Sequence, residues 1–222
     1  MVAQRAYDLN PPQPERPPTA KGRKTRQRIL DSATKVFAEH GYHDASIVKI
    51  TEGAGVALGT FYLYFEGKFE LFREVVEDLN HRVRRAMSEA GLQGHTRSEI
   101  ERAGFRAFFE FSAEHPELHR IIRQAEFVDP GSMRRHYHLI AEGYVRGLKT
   151  AQRRGEVGDI DPEVAAWAFM GIGEIIAMRW LVWPADDGAP TTLPEHVLDQ
   201  LMVLVDGALN PPRSSRQEQR NG

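Results

Sequence analysis

The chain has 222 residues, of which 41% are hydrophobic and 27% charged, with a formal net charge of −2 at pH 7, so it can bury a core in one or two small domains. The absence of cysteine excludes disulfides, thiolate nucleophiles and cysteine-ligated zinc. No stretch approaches the roughly 20 uncharged apolar residues that span a bilayer, and the N-terminus lacks the basic-then-apolar pattern of a secretion signal, so we expect a cytoplasmic protein that contacts no membrane.

The N-terminal part of the chain combines a proline-rich segment with a basic one. Residues 1–20 hold five prolines and few large apolar groups, which predicts an extended, disordered arm. The segment KGRKTRQR, residues 21–28, holds five basic side chains and no acid. Such a local cluster matters more for nucleic-acid binding than the average charge does. The side chains of the predicted basic arm are Lys21, Arg23, Lys24 and Arg26.

Hydrophobic periodicity predicts helices along the whole folded part of the chain. Apolar spacing, caps and stop signals indicate nine helices, over about 25–40, 46–54, 58–65, 68–90, 98–114, 116–127, 132–154, 162–183 and 194–209. No segment alternates like a strand for more than a few residues. The sequence therefore predicts an all-α fold, followed by a polar, disordered tail over 211–222.

The segment GTFYLYF, residues 59–65, crowds four aromatic side chains into five positions. On a helical wheel, Phe61 and Phe65 face inward, whereas Tyr62 and Tyr64 lie on the two flanks. The residues that point outward are Gly59, Thr60 and Leu63. Small outward residues and flanking hydroxyls suit a helix pressed into the major groove of DNA, with the hydroxyls near phosphates. The alternative is that the aromatic residues only fill the core of a helical bundle.

The neighbouring segments favour the DNA-binding interpretation. The helix that begins at the N-cap Ser46 ends at Gly55, which supplies the tight, glycine-containing turn of a helix-turn-helix. Lys68 adds a cation at the start of the next helix, where backbone amides already favour phosphate. The basic stretch, the amphipathic first helix, the two short helices and the lysine occur in the order that such a DNA-binding unit requires.

Residues 25–72 resemble the DNA-binding domain of the TetR family of bacterial transcriptional regulators, and the text that carries the resemblance is RILDSATKVFAEHGYHDASIVKITEGAGVALGTFYLYFEGKFELF. The resemblance implies that residues 21–67 form a helix-turn-helix domain that binds double-stranded operator DNA. It also implies that residues 68–210 bind a ligand and form a homodimer.

The same resemblance assigns roles to individual residues. It implies that Thr60 and Leu63 face the major groove and that Ser46 contacts a phosphate or caps the second helix. It also implies that Tyr62, Tyr64 and Lys68 bind the DNA backbone. Ala57 and Leu58 depart from the commoner pattern of a serine followed by a polar or basic residue, which leaves one phosphate contact in question.

The last two predicted helices fit a dimer. The segment VAAWAFMGIGEIIAMRWLVW is apolar nearly all round, so the helix must be covered on more than one side. The resemblance implies that the last two helices form a four-helix bundle with those of a second subunit. A two-fold dimer would read a palindromic operator through two major-groove half-sites. We expect a repressor that its ligand releases from DNA.

Three later segments, HPELHRIIRQAEFVDP, YVRGLKTAQRRGEV and WAFMGIGEIIAMRWLVW, resemble the ligand domain of TetR-family regulators of fatty-acid degradation, which respond to acyl-coenzyme A. The implied effector is therefore a small hydrophobic molecule such as an acyl-CoA. The candidate ligand residues are Phe105, Phe109, Arg123, Phe127, Tyr137, Trp167, Met170, Ile175, Met178 and Arg179. Helical spacing does not distinguish a filled core from a cavity, and Arg179 also suits an ion pair at a dimer surface or a side chain that extends to water.

The sequence gives little support for catalysis. HPELH misplaces the glutamate of a zinc-protease helix and adds a proline, and His136 and His138 diverge on a helix. GIGEII lacks the third glycine and the preceding strand of a dinucleotide fingerprint. We therefore expect no enzymatic activity, no cofactor and no metal site. The remaining alternative is a helical ligand-binding or interaction protein that binds no specific DNA sequence.

Overall fold

A computed structural model describes residues 19–92, 94–186 and 192–210. The predicted N-terminal arm, except for its last two residues, and the predicted tail over 211–222 lie outside this range. The chain divides into two compact units, Met1–Val75 (unit 1) and Val76–Gly222 (unit 2). The division falls inside one long helix, whereas the predicted domain limit falls at the start of that helix. The limits of the functional domains stay a prediction.

Unit 1 is built, in its described part, from two short helices, one long helix and the start of another, packed around one core. They are α1 (Ala20–Asp44), α2 (Ile47–Ala54), α3 (Leu58–Phe61) and the start of α4 (Lys68–Gly91), which ends in unit 2. Helix α1 begins at Ala20 because Thr19 caps it: the Thr19 hydroxyl accepts a hydrogen bond from the Gly22 N–H at 3.1 Å. The predicted start near Thr25 was wrong, and the basic stretch is helical.

A filled hydrophobic core holds unit 1 together. Its largest fully buried side chains are Ile29, Phe37, Ile50, Phe61, Phe65, Leu71 and Phe72. The rings of Phe37 and Phe72 pack edge to face with centroids 5.3 Å apart, and each large apolar side chain contributes about 1.5–3 kcal/mol by its burial. The buried Ser32 hydroxyl donates a hydrogen bond to the Ile50 carbonyl at 2.8 Å. This bond and the core fix α2 on α1.

Unit 2 continues the helical architecture. Its elements after α4 are α5 (Arg97–Glu114), α6 (Glu117–Val128), α7 (Pro130–Arg153), α8 (Pro162–Ala177), α9 (Trp183–Asp186) and α10 (Glu195–Leu209). Thr96 and Glu99 form a capping box at the start of α5. Asp129 and Asp161 cap α7 and α8, each of which has proline in its first turn. The described residues contain no strand, and the predicted all-α fold is confirmed.

The eighth predicted helix, over about 162–183, is not one continuous α-helix. Helix α8 ends at Ala177, and a π-helical segment, Met178–Val182, connects it to α9. The wider π turn changes the angular position of the residues that follow. Within the described ranges, Pro162–Val182 is the one helical stretch long and apolar enough to cross a membrane, with 39% of its most apolar window buried. This is weak evidence for a membrane segment, because the core helix of a soluble protein passes the same test.

The core of unit 2 forms where α5 packs against α8 and α10. Its buried members include Phe105, Phe109, Leu148, Phe169, Leu201 and Val205. At the surface, Arg102 and Arg106 of α5 form ion pairs with Glu195 of α10. Helix α7 packs against α6 and α8, and this second packing layer encloses the cavity described below.

Candidate functional site

Helices α2 and α3 are joined by a tight turn whose geometry is set by two residues. Ser46 caps α2, and its hydroxyl accepts a hydrogen bond from the Lys49 N–H at 3.1 Å. Gly55 ends α2 with φ of 62°, a left-handed conformation that favours glycine. The Val56 N–H then bonds to the Thr51 carbonyl at 3.0 Å. This helix, glycine turn and second helix form a helix-turn-helix.

Helix α3 and the turn that follows it present large side chains to solvent. Leu63 is 72% exposed, Tyr62 is 55% exposed, and Leu58 is 45% exposed. Gly59 is exposed between them and Thr60 is half-buried. The outward positions predicted for Gly59 and Leu63 therefore agree with the structure. Several exposed apolar side chains lie close together here, and Gly59 between them has no side chain to block an approaching molecule. Such a surface suits close contact with another molecule.

Tyr64 does not lie on a flank of α3, as the sequence predicts, but is buried. The predicted helix extends to residue 65, whereas α3 ends at Phe61 and the chain continues as a tighter turn. In that turn the Tyr64 N–H bonds to the Phe61 carbonyl at 2.9 Å. Residues three apart eclipse each other in such 3₁₀-type bonding, so Tyr64 follows Phe61 inward. Tyr62 alone keeps the predicted flank position.

Lys68 has structural partners that the sequence did not reveal. Its ammonium donates hydrogen bonds to the carbonyls of His43 and Ala45, both at 3.0 Å, and lies 4.7 Å from the centre of the Tyr42 ring. The side chain therefore ties the end of α1 to the start of α4. An ammonium has three protons, so one remains for the predicted phosphate contact.

The basic residues predicted to form an arm lie on the first turns of α1. Lys21, Arg23 and Lys24 are exposed there. Arg26 is packed instead, with its guanidinium paired with Glu74 and 5.2 Å from the centre of the Phe65 ring. Arg26 thus stabilises unit 1, and the basic surface consists of the helical turns that precede it.

Unit 2 contains a mainly apolar cavity of about 50 Å³, called here the inner cavity. Its lining residues are Met87, Phe105, Phe108, Leu118, His119, Ile122, His136, Tyr137, Ile140, Tyr144, Phe169, Met170, Gly173 and Glu174. A buried water needs roughly 10–15 Å³, so this cavity has room for a few waters. A larger guest must move the walls.

The inner cavity is tied to α4 by a buried hydrogen-bonded pair. The Asn80 side-chain amide donates to His136 Nδ1 at 2.9 Å and to the His136 carbonyl at 3.1 Å. Because Nδ1 accepts, the proton of the neutral imidazole lies on Nε2. Burial lowers the pKa of His136 to about 4, so the ring is neutral near pH 7. It can donate one hydrogen bond from Nε2.

Three further polar groups line the inner cavity. His119 Nε2 lies 3.1 Å from the Ser112 hydroxyl, and burial lowers the pKa of His119 to about 4. The Tyr137 hydroxyl donates to the Glu174 carboxylate, with both oxygens at 3.0 Å. Burial, followed by the nearby Glu174 charge, raises the pKa of Tyr137. The wall therefore combines neutral donors with one carboxylate.

Comparison with known proteins agrees with the helix-turn-helix geometry. The family described as "Bacterial regulatory proteins, tetR family" matches residues 29–75, from within α1 to the start of α4. YdgC of Bacillus subtilis (strain 168), an HTH-type transcriptional regulator, is 28% identical over 190 residues, which are 82% of this chain and 93% of that protein. The chain belongs to the TetR family. This TetR-family protein is therefore a DNA-binding regulator of transcription and not an enzyme.

Two solved structures share the fold of most of this TetR-family chain. The fatty acid degradation regulator FadR from Bacillus halodurans has a TM-score of 0.72 at 20% identity, over 85% of this chain and 96% of that one. FadR from Bacillus subtilis in complex with stearoyl-CoA has a TM-score of 0.69 at 22% identity, over 83% of this chain and 99% of that one. At these identities the likeness shows the fold alone.

Only part of the predicted ligand set lines the inner cavity of this TetR-family protein. Phe105, Tyr137 and Met170 do so. Phe109 and Met178 are buried but do not line it. The members that lie at the surface instead are Arg123, Phe127, Trp167, Ile175 and Arg179. Arg179 is exposed, and its guanidinium lies 5.4 Å from the centre of the Trp180 ring.

Sequence reasoning missed the polar residues of the cavity wall, His119, His136 and Glu174. His119 stands within the apolar segment LHRII of α6, and a polar residue on a buried helix face was the available signal. The sequence presents His136 only as one of two histidines, with His138, that could be compared with a metal-binding pair. Its partner Asn80 is 56 residues away in the chain, so no local pattern could have paired them.

Proposed function

We propose that this TetR-family protein is a cytoplasmic repressor that binds a palindromic operator as a homodimer and is released by a small hydrophobic effector, such as an acyl-CoA. The observation that carries the proposal is the exposed surface formed by α3 and the turn after it, where Leu58, Tyr62 and Leu63 reach solvent beside a filled core. A rigid, shallow, partly apolar face suits contact with base edges and thymine methyl groups.

Groups around α3 support contacts with the DNA backbone. The Ser46 hydroxyl, the Tyr62 hydroxyl and the third proton of the Lys68 ammonium can donate to phosphate oxygens. The exposed Lys21 and Lys24 of α1 add positive charge on the same unit. Buried Tyr64 is not needed for these contacts. Its proposed role is to hold α3 on the core.

Exposed apolar side chains on the last helices support the homodimer. Ile175 of α8 is 64% exposed, and Val203 and Leu204 of α10 are 64% and 63% exposed. Val164 of α8 is 65% exposed. Exposed apolar side chains on both helices favour self-association, and a dimer places two α3 helices for the two halves of a palindrome.

Helix α4 supplies the proposed coupling between effector and operator. It carries Asn80 and Met87 on the cavity side, and it begins at Lys68, whose ammonium holds the end of α1. An effector that widens the inner cavity moves the side chains that α4 contributes to it. A hundredfold loss of operator affinity requires about 2.7 kcal/mol of coupling, within the usual range for linked sites.

The test is selection of genomic DNA fragments by the purified protein, followed by sequencing of the retained fragments. We expect an enriched palindrome, and release of the retained DNA by long-chain acyl-CoA but not by coenzyme A. Salt-sensitive retention without a motif would indicate backbone binding alone. Release by neither compound would remove acyl-CoA from the proposal and leave the operator assignment intact.

Two exposed leucines offer a matched pair of variants for this selection. Leu63 in the turn after α3 and Leu92 after α4 are 72% and 81% exposed. We expect Leu63→Glu to abolish retention of the palindrome because it places a carboxylate against DNA. Leu92→Glu adds the same charge in unit 2 and should leave retention unchanged. Equal behaviour of the two variants would contradict the role of α3.

A further inference from the structure

A second cavity, of about 260 Å³, lies beside the inner cavity in unit 2. We call it the outer cavity. The two cavities share three wall residues, Met87, Ile140 and Tyr144. These side chains separate two spaces of different chemistry. A change in their rotamers would join the two spaces into one.

The outer cavity is basic, whereas the inner cavity has no Lys or Arg in its wall. Arg84, Arg97 and Arg146 line the outer cavity, and the acid in its wall is Glu101. Arg97 and Glu101 form a buried ion pair on α5, so their charges offset each other. Arg146 is exposed, and its guanidinium lies 3.7 Å from the Glu142 carboxylate. A positive charge remains at Arg84.

Arg84 is unusual among the arginines of α4. Its neighbour Arg82 lies 3.8 Å from the Asp78 carboxylate and 2.9 Å from His115 Nε2, and Arg85 bonds to Glu89 at 2.7 Å. Arg84 is half-buried and its Nε is fully buried, yet within the described ranges that nitrogen has no hydrogen-bond partner. No ion pair of Arg84 occurs there either. A buried cationic donor without a partner is costly.

We propose that the outer cavity is an anion-binding compartment in which the Arg84 guanidinium binds the carboxylate or phosphate of an effector whose apolar body extends past Met87 into the inner cavity. The proposal rests on the effector-binding function proposed above and names the chemistry of that effector. The Glu174 carboxylate in the wall of the inner cavity repels an anion and makes that cavity unsuitable for the charged end. The outer cavity thus binds the charged end of an amphipathic anion, and the inner cavity binds its apolar body.

This assignment places the charged contact on α4. Arg84 lies four residues after Asn80 and three before Met87, so the three side chains share one face of that helix. The anion would contact the helix directly, and the apolar body would displace Met87. An amphipathic anion would therefore act on α4 at two points, whereas a neutral apolar molecule would act on it only at Met87.

The test compares the affinities of dodecanoate, dodecyl phosphate and dodecanol for the full-length protein, below the concentrations at which they form micelles. A charge-assisted hydrogen bond predicts that both anions bind roughly tenfold to a hundredfold more tightly than dodecanol. Arg84→Met should remove this preference and leave the dodecanol affinity unchanged. Arg84→Lys should keep part of it. The control Arg85→Met alters an exposed arginine and should bind like the unaltered protein.

Several results would overturn the anion site. They are equal binding of dodecanoate and dodecanol, binding of no dodecyl compound, and an anion preference that survives in Arg84→Met with an unchanged melting temperature. Preference for only one of the two anions would identify the headgroup as carboxylate or phosphate. Retention of genomic DNA is measured on the same preparations, so a failure of operator binding is distinguished from a failure of the anion site.

Discussion

The interiors of the two units use buried polar groups in different ways. In unit 1, buried hydroxyls bond to backbone carbonyls: Ser32 to Ile50 and Thr34 to Leu30. In unit 2, buried polar side chains bond to one another, as Asn80 does to His136 and Arg97 to Glu101. Bonds to the backbone fix helices, whereas side-chain pairs can exchange partners with a guest. This difference agrees with the proposal that unit 1 acts through its surface and unit 2 through its interior.

This difference predicts how substitutions separate stability from function. In unit 1, a core substitution should alter folding and a surface substitution should alter DNA binding, with little overlap. In unit 2, the same buried side chains support folding and line the proposed effector site, so stability and effector binding should change together. The four predictions below, ordered by expected size, test that contrast.

The largest effect is expected in the core of unit 1. Phe61 is fully buried and Leu63, two residues later, is 72% exposed. Phe61→Ala should lower the free energy of unfolding by about 3–5 kcal/mol, whereas Leu63→Ala should change it by less than about 0.5 kcal/mol and weaken operator binding. Chemical denaturation followed by circular dichroism measures the first quantity. A similar loss of stability in both variants would show that Leu63 is part of the core.

The next effect concerns how the stability of unit 2 depends on pH. The pKa values of His119 and His136 are about 4 when folded, below the usual value of 6.5, so the unfolded chain takes up protons first as the pH falls. Stability that is present above pH 6.5 is lost progressively between about pH 6.5 and 4, by about 2 kcal/mol per imidazole between pH 7 and pH 5.

Tryptophan fluorescence measures this pH effect in unit 2, because Trp167, Trp180 and Trp183 all lie there. Urea unfolding is compared at pH 7 and pH 5. His119→Gln should remove about half of the pH-dependent loss, since one titrating imidazole remains. A variant that loses as much stability as the unaltered protein would show that His119 is already charged in the folded state.

The third effect concerns the Asn80–His136 pair. Asn80→Leu keeps the number and branching of the side-chain heavy atoms but leaves His136 Nδ1 and the His136 carbonyl without their donor, which should cost about 1–3 kcal/mol. It should also weaken the effect of the effector on operator binding. The reason is that the Asn80 amide joins α4 to His136 in the cavity wall by hydrogen bonds. Ser32→Ala is the matched control in unit 1. It removes one buried hydrogen bond and should leave effector coupling unchanged.

The sequence was more informative about unit 1 than about unit 2, and the reason is physical. The glycine turn, the Ser46 cap and the inward Phe61 depend on residues close in the chain, so local spacing predicts them. The position predicted for Tyr64 is wrong because the pattern indicates an α-helix where the chain forms a tighter turn. The cavity of unit 2 depends on which of several apolar faces α8 turns inward. Helical spacing does not contain that information when nearly every face is apolar.

The smallest effect separates two roles of Ser46. Its hydroxyl caps α2 through the Lys49 N–H, and the proposal also places it near a phosphate. Ser46→Ala should cost about 1 kcal/mol of stability and weaken operator binding. Ser46→Asp is an equally good cap, so stability should be kept, while its carboxylate repels phosphate and lowers operator affinity. Denaturation and binding measured on both variants decide the matter. Unchanged affinity in Ser46→Asp would make Ser46 a cap alone and move the phosphate contact to Tyr62 and Lys68.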